Sequence, residues 1–424
     1  MQRFIRCVCL MLVLAAGSCG IAKAQRALTW DEVKARLESD NPTLLADKLN
    51  IDESKAQEIT AFLRPNPNVG LSTDGIQVAP YKGHWLSLTG TQLVPSINYL
   101  YERQHKRELR LESAKNGTLI AESSHADLGR TLLFNLRSAF VSTLQAKAVL
   151  QLAKDNLAYY DHVLDISRDR FHAGDIAQID LDRLELQRVQ YESDVQTAEV
   201  NLRTAKIQLL TLLNDRTPIE QFDVAGPFDL NDQLLPRDEF RKIALDTRPD
   251  LKAAIEAVDK AQTDHNLAVA NGSTDPTFGT WYSYNPAFNN VWGRYTLGAN
   301  VSIPLRIFDR NQGEKLRTQS DIGRNEKLLE ATRALVFSDV DSAYAIMNSN
   351  VILLQPYKTK YLQQAVRVRD TITFSYQQGG ASLLDFLNAQ SDYRTVELSY
   401  VNLIGAYLTA AAQLNLAVGR EAIP

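Results

Sequence analysis

The body of this 424-residue chain lacks cysteine, because its three cysteines, Cys7, Cys9 and Cys19, all lie at the amino terminus. Disulfides and thiolate metal sites both require cysteine side chains, so the rest of the chain can contain neither. The six histidines are scattered along the sequence, which argues against a histidine metal cluster. We therefore expect no metal site and no cofactor.

The sequence also lacks a strong net charge and the common catalytic motifs. The formal charge is only -4, so it has no basic surface of the kind that nucleic acid binding requires. Gly-x4-Gly-Lys-Ser/Thr, Gly-x-Ser-x-Gly and His-Glu-x-x-His are all missing. A nucleic acid partner and an enzymatic function are therefore both disfavoured. A hydrophobic content of 45% and a charged content of 23% are typical of an ordered protein.

The amino terminus has the pattern of a secretory signal peptide, which we assign to residues 1–24. Basic residues precede an apolar run that is too short to span a bilayer, and an Ala-x-Ala site ends at Ala24. A second interpretation takes the segment before Cys19 as a lipoprotein signal, which would make Cys19 the lipidated first residue. Both interpretations predict an exported protein.

The remaining sequence contains a tandem duplication. Asn66-Pro67 and Asp275-Pro276, Val94-Pro95 and Ile303-Pro304, and the glycines Gly174 and Gly379 recur in one order at offsets of roughly 205 to 209. We expect a first repeat over residues 25–213, a linker over 214–248 and a second repeat over 249–424. Each repeat reads as a helix, a strand pair (68–95 and 277–304) and a long helical hairpin.

The helix after each matched glycine carries a heptad seam. Apolar residues alternate at steps of three and four from Leu181 to Leu212, with Arg188 as the one exception, and again from Phe386 to Ala417. Such a sustained 3.5-residue period predicts coiled-coil packing. Long helices precede both seams, from Tyr99 to about Phe171 and from Gly313 to about Tyr376, the second interrupted by Pro356.

The strand pairs alternate as outer-membrane barrel strands do. Arg294 to Ile303 is apolar at every second position, Trp85 to Val94 and Phe278 to Tyr284 alternate less perfectly, and Asn68 to Val78 alternates least. Trp281, Trp292 and neighbouring tyrosines suggest an interfacial aromatic belt. A soluble antiparallel sheet is the alternative. Four strands cannot close a barrel, so a membrane barrel would need several chains, and three chains supply twelve strands.

These features together resemble the TolC family of outer membrane efflux proteins, over nearly the whole exported chain. The run from Ile303 to Gly313, which contains Pro-Leu-x-x-Phe-Asp-Arg-Asn-x-Gly, resembles in particular the heavy-metal cation efflux branch. The resemblance implies a mainly α fold with membrane β: a homotrimer whose twelve-stranded outer-membrane β-barrel, with four strands per protomer, continues into a periplasmic α-barrel of long coiled-coil helices. It also implies a periplasmic adaptor (membrane fusion protein), an inner-membrane transporter of RND type and outer membrane lipid as partners.

The resemblance also assigns functional residues to the two glycine turns. Asp180 and Asp385 match family positions where carboxylates ring the periplasmic aperture, and Asn388 stands where a second aspartate is frequent. The turns themselves, Gly174 with Asp175 and Gly379 with Gly380, would contact the adaptor. For Asp385 a helix-capping role is an equal alternative, because Ser382-Leu383-Leu384-Asp385 fits a capping box. For Asp180 the capping alternative is weaker.

The predicted function is an outer membrane conduit of a tripartite efflux system, for metal cations or small toxic molecules. Two other functions stay open, the outer membrane component of a type I protein secretion system and a non-conducting periplasmic coiled-coil spacer or adaptor. The spacer would need neither barrel strands nor an aromatic belt, so membrane residence separates it from the conduit.

Overall fold

The computed structural model describes residues 27–80, 82–85, 90–230, 235–286 and 291–423. The predicted signal peptide and Cys19 lie outside these residues. The described chain is mainly helical, with one four-stranded antiparallel sheet. The α-helices are α1 (Trp30–Asp40), α2 (Pro42–Phe62), α3 (Lys106–Ala173), α4 (Gln178–Leu212), α5 (Arg237–Thr247), α6 (Pro249–Asn271), α7 (Gln312–Pro356), α8 (Leu362–Gln377) and α9 (Leu383–Val418). The strands are β1 (Asn68–Asp74), β2 (Gln92–Leu100), β3 (Thr277–Tyr284) and β4 (Tyr295–Ser302).

Local sequence signals explain most helix boundaries. The carboxylate of Glu32 accepts a hydrogen bond from the backbone N–H of Thr29 at the start of α1, and Pro249 occupies the first turn of α6. Gly419 adopts a φ of 89° and ends α9 in the left-handed conformation that glycine favours. The predicted interruption at Pro356 is confirmed, because α7 ends there and one π-helical turn, Tyr357–Tyr361, leads into α8.

The chain folds into two compact units, and each draws on both predicted repeats. Among the described residues, the first unit contains those up to Leu45, those of Gly129–Thr247 and those from Ser338 onward. Its interior contains an apolar core formed by α1, α3, α4 and the linker. The buried residues of this core are Leu28, Val33, Leu37, Leu136, Phe140, Leu144, Leu209, Leu210, Leu213, Phe222 and Val224. The second unit contains Ala46–Leu128 and Arg248–Phe337, and therefore the whole sheet.

The heptad seams predicted from the sequence are confirmed by burial in the first unit. Leu184 and Leu209 of α4 and Phe386 and Leu414 of α9 are fully buried, and the other seam positions are buried or half-buried. By length and composition α9 alone among the described helices could cross a membrane, but more than half of its most apolar stretch is buried inside the protein. Its hydrophobicity is therefore explained by core packing.

The sheet has the order β1-β2-β3-β4, and all neighbours are antiparallel. Because side chains alternate along a strand, the register assigns each residue to one of two faces. One face, called here the apolar face, contains Val69, Leu71, Thr73, Leu93, Pro95, Ile97, Tyr99, Phe278, Thr280, Tyr282, Tyr284, Tyr295, Leu297, Ala299 and Val301. The opposite, polar face contains mostly Asn, Ser, Thr, Gln and Gly.

The apolar face is uncovered in the single chain. Val69 is 81% exposed and Leu297 is 80% exposed, and aromatic side chains such as Tyr295 are also exposed. On the polar face, Trp281 lies across Gly298, where an added Cβ would come within 2.3 Å of the indole ring. Trp281 was grouped with the aromatic belt by sequence, and its position on the polar face corrects that assignment.

The second strand differs from the sequence prediction. Of the strand expected over Trp85 to Val94, residues 86–89 lie outside the described residues. The strand that the structure shows begins at Gln92 and continues to Leu100, so the helix expected from Tyr99 begins only at Lys106. Pro95 lies inside the strand and not at its end. The pairing of β2 with β3 includes Leu93–Tyr284 and Ser96–Trp281 but skips Val94 and Pro95, because proline has no N–H to donate to the ladder.

Candidate functional site

The two glycine turns of the first unit have the same backbone geometry. Gly174 has a φ of 85° and Gly379 a φ of 77°, conformations that require glycine. In the first turn the N–H of Asp175 donates to the carbonyl of Arg170 at 2.8 Å, and in the second the N–H of Gly380 donates to the carbonyl of Ser375 at 2.8 Å. Both turns are Schellman motifs that end one long helix and begin the next.

The helices at the two turns share one buried core. Its members come from α3, α4, α8 and α9, and half of them are aromatic. They are Tyr160, Val163, Leu164, Leu181, Leu184, Tyr191, Tyr376 and Phe386. Tyr376 stacks on Phe386 with centroids 5.0 Å apart, and Tyr160 stacks on Tyr191 at 4.5 Å. This packing holds the first hairpin turn beside the second.

Polar contacts join the hairpins as well. Arg170, near the end of α3, donates through Nη1 to the carbonyl oxygen of Tyr376 at 2.9 Å. Further from the turns, Arg394 of α9 forms an ion pair with Asp194 of α4 at 2.8 Å. The hydroxyls of Tyr159 and Thr373 also hydrogen bond across the hairpins at 3.2 Å. The sequence pattern did not predict these contacts, although Arg170 and Tyr376 lie only a few residues before the matched glycines.

Asp385 forms the predicted capping box. Its backbone N–H donates to Oγ of Ser382 at 3.1 Å, and its carboxylate accepts from the Ser382 N–H at 3.2 Å and from the Ser382 hydroxyl at 2.7 Å. These hydrogen bonds hold the pKa of the Asp385 carboxyl below its usual range. The side chain is nevertheless exposed, so its negative charge faces solvent at the start of α9.

Asp180 lies at the equivalent start of α4 but has no such cap. Ala177 occupies its N-cap position and offers no side-chain hydrogen bond. Burial raises the pKa of the nearby Tyr376 phenol, and the charge of Asp180 adds to this rise while Ser167 and Arg170 oppose it. Asp180 itself is half-buried, whereas Asp385 is exposed.

The other predicted site residues lie around these two carboxylates. Asp175, Gly174, Gly379, Gly380 and Asn388 are exposed, and an added Cβ at Gly174 or Gly379 would meet no atom within 4 Å. No hydrogen bond or ion pair joins Asp180 to Asp385 in the described part of the chain. The structure therefore places the two turns side by side without linking their carboxylates directly.

The described residues contain no group of three or more His, Cys, Asp and Glu side chains arranged to hold a metal ion. The chemistry available at the turns is therefore electrostatic: two acidic first-turn residues, open glycine turns and a rigid aromatic support. The sheet offers a second functional surface, with one apolar and one polar face.

Comparison with known proteins identifies this combination of elements. The family model for outer membrane efflux proteins matches residues 241–420. The pyoverdine export outer membrane protein OpmQ of Pseudomonas aeruginosa is 25% identical over 76% of this chain and 69% of its own length. The cobalt-zinc-cadmium resistance protein CzcC of Cupriavidus metallidurans is 22% identical over 94% of this chain and 91% of its own. The crystal structure of CusC superposes with a TM-score of 0.76, at 18% identity, over 92% of each chain.

Long helical hairpins with a two-faced four-stranded sheet define the class as an outer membrane efflux channel, a transporter and not an enzyme. The match over residues 241–420 is to the outer membrane efflux protein family, and TolC of Escherichia coli is among the similar proteins. The recognition made from sequence motifs is thus confirmed, and with it the outer membrane location.

Proposed function

We propose that the chain forms a homotrimeric conduit, through which an inner-membrane pump of RND type and a periplasmic adaptor expel their substrate across the outer membrane. The observation that carries this proposal is the sheet. Its apolar face is exposed and its other face is polar, as the lipid and lumen faces of a membrane barrel are.

The edges of the sheet support assembly from several copies. In the described residues β1 and β4 each pair with one neighbour only. An open strand edge is not tolerated in hydrocarbon because its N–H and C=O groups would lack partners. Two, three or four copies would supply about eight, twelve or sixteen strands, all permitted numbers. The TolC resemblance favours three, with a twelve-stranded barrel.

The aperture is proposed at the glycine turns. There, three copies would each contribute Asp180 and Asp385, so that six aspartates would lie near one axis, with Asn388 behind them. A ring of carboxylates favours cations through its local field. Gly174 with Asp175 and Gly379 with Gly380 are the proposed adaptor contacts. Their exposure and open surroundings support this role. The duplication, with repeats over 25–213 and 249–424 and a linker over 214–248, is also proposed, and the matching turns support it.

Metal cations are the substrate that we propose for this channel. The run from Pro304 to Gly313 and the similarity to a cobalt-zinc-cadmium resistance protein support this substrate. A relative named for pyoverdine export matches as well, so small organic molecules are the second candidate. A type I secretion role would use the same conduit with a protein cargo. A periplasmic spacer is disfavoured because it gives no reason for an exposed apolar sheet face.

The assembly is tested by measuring the mass of detergent-extracted protein by light scattering, with the detergent contribution subtracted. We expect three chain masses, recovered with the outer membrane fraction. A stable monomer, or recovery in the soluble periplasmic fraction, would reject the conduit and favour the spacer.

A further inference from the structure

Two exposed apolar segments flank the free edges of the sheet. The first, called the post-β4 segment, consists of Leu305, Ile307 and Phe308. The second, called the pre-β1 segment, consists of Ile59, Phe62 and Leu63. Phe308 is 90% exposed and Leu305 is 79% exposed, and all members of the pre-β1 segment are exposed too. Contiguous exposed apolar side chains mark an interaction surface.

The register places both segments at the same end of the sheet. Asn68, which begins β1, pairs with Asn98. Asn98 pairs with Gly279, and Gly279 pairs with Asn300 near the end of β4. The start of β1 and the end of β4 therefore lie level with each other, on opposite edges. The pre-β1 segment precedes one free edge, and the post-β4 segment follows the other.

Both segments are held in place although their side chains face solvent. Arg110, itself paired with Glu102, donates to the carbonyls of Ala61 at 3.3 Å and Leu63 at 3.5 Å, which fixes the chain after α2. After β4, the amide of Gln312 donates to the carbonyl of Phe308 at 3.1 Å. Binding through such ordered segments costs little further conformational entropy.

We propose that the post-β4 segment of one copy packs on the pre-β1 segment of the next copy. This inference rests on the proposed closed barrel. All neighbouring strands in the sheet are antiparallel, so β4 of one copy and β1 of the next also run antiparallel, at the usual spacing of about 5 Å. The residue runs that continue these two strands then lie side by side. The contact is head-to-tail, and each copy uses both surfaces once in a closed ring.

Outer membrane lipid is the competing occupant. Ile303, Leu305 and Ile307 continue the alternation of the apolar face, so lipid could cover them. However, charged residues interleave both segments: Arg306, Asp309 and Arg310 after β4, and Arg64 beside Leu63. Charged side chains are costly in hydrocarbon. A polar-rimmed apolar contact between two proteins accommodates them at its edge.

The cysteine-free body of the chain permits a direct test by cross-linking. The double variant Leu63→Cys with Phe308→Cys is treated in native membranes with a short bismaleimide and analysed on denaturing gels. We expect covalent dimers and trimers. Co-expression of the two single variants, Leu63→Cys and Phe308→Cys, should give dimers only. Each chain then has a single introduced cysteine and can form only one cross-link. The unaltered protein serves as the blank for Cys7, Cys9 and Cys19.

The matched control is Phe308→Cys with Trp292→Cys. Trp292 is also 90% exposed, but it lies between β3 and β4 at the opposite end of the sheet. The control should give at least tenfold less cross-linked product. The mass of each sample is measured by light scattering before cross-linking. A trimer that cross-links no better than the control overturns the contact and leaves the conduit standing, whereas a monomer overturns the conduit itself.

Discussion

At the first turn of α9, the Asp385 carboxylate both caps a helix and presents a charge to solvent. The hydrogen bonds from Ser382 explain the cap and the lowered pKa. They leave the charge exposed, so the structure does not force a choice between the two roles. Substitution by asparagine separates them, because the amide keeps an acceptor oxygen of the same size and removes the charge.

The first prediction concerns ion selectivity. Replacing both Asp180 and Asp385 with asparagine should reduce the cation preference of the channel and abolish its block by a trivalent cation from the periplasmic side, because the field of the carboxylates is removed. Trimer formation should be unchanged. The measurement is the reversal potential in planar bilayers under a salt gradient, with and without the trivalent ion.

Asp182→Asn provides the control for this measurement. Asp182 lies two residues from Asp180 on the same helix and accepts a hydrogen bond from Gln178. Its loss of charge should leave selectivity nearly unaltered. If the double variant keeps both its selectivity and its trivalent block, the two aspartates have no role in the aperture.

Among the secondary structure elements, the helices were predicted best. Hydrophobic periodicity over 30 or more residues is a strong signal, and both seams, the break at Pro356 and the glycine turns are confirmed. The predicted bounds of the second strand were wrong because Pro95 was taken as the end of the strand. Proline can lie within a strand where the partner strand tolerates a missing donor, and sequence alone does not reveal that tolerance.

The second prediction concerns the seam of α4. Leu184 is fully buried in the core shared by the two turns. Leu184→Ala should destabilise the folded helices by about 2 to 5 kcal/mol, through lost burial and the cavity left behind. The measurement is the midpoint of thermal or denaturant unfolding followed by helical circular dichroism.

Glu185→Gln is the comparison for Leu184. Glu185 forms an exposed ion pair with Arg168 at 3.0 Å, and an exposed ion pair contributes at most about 1 kcal/mol. Equal unfolding midpoints for Leu184→Ala and Glu185→Gln would contradict the conclusion that Leu184 stabilises the fold through core packing.

The third prediction uses the two faces of β4. Leu297→Arg places a charge on the apolar face and should impair membrane insertion by roughly 2 to 4 kcal/mol if the position is near the bilayer midplane. The neighbouring residue, Thr296, lies on the polar face. The variant Thr296→Arg should therefore insert into the membrane normally but have a lower cation conductance. The yield of trimer in the outer membrane fraction and the single-channel conductance are measured for both. Equal insertion of the two variants would argue against a lipid-facing apolar surface.

For the whole molecule, the open question is the substrate, and the fourth prediction addresses it. Cells that lack this chain should become more sensitive to zinc, cobalt or cadmium ions than to small organic toxins, because the metal branch is proposed. Growth inhibition is compared between the deletion strain, the strain complemented with the unaltered gene and the strain complemented with Leu297→Arg. Sensitivity confined to organic toxins would reject the metal substrate and retain the channel.

The functional region could be predicted only in part, and the reason lies in long-range packing. The positions of Asp180 and Asp385 followed from motif matching along the sequence. The contact of Arg170 with Tyr376 joins residues 206 apart, and the single apolar face of the sheet depends on the register of four strands from both repeats. Periodicity describes one element at a time and contains no information on such pairings.

The pairing of β2 with β3 determines the order in which the protein can fold. Next to these strands the backbone N–H of Arg103 donates to the carboxylate of Asp275, 172 residues away. β1 and β2 pair with each other, but β2 emerges long before β3, its partner on the other side. Pairing over such distances is slow, and uncovered apolar strands aggregate readily in the interval. We therefore expect the free edge of β2 to be open to aggregation until β3 pairs with it.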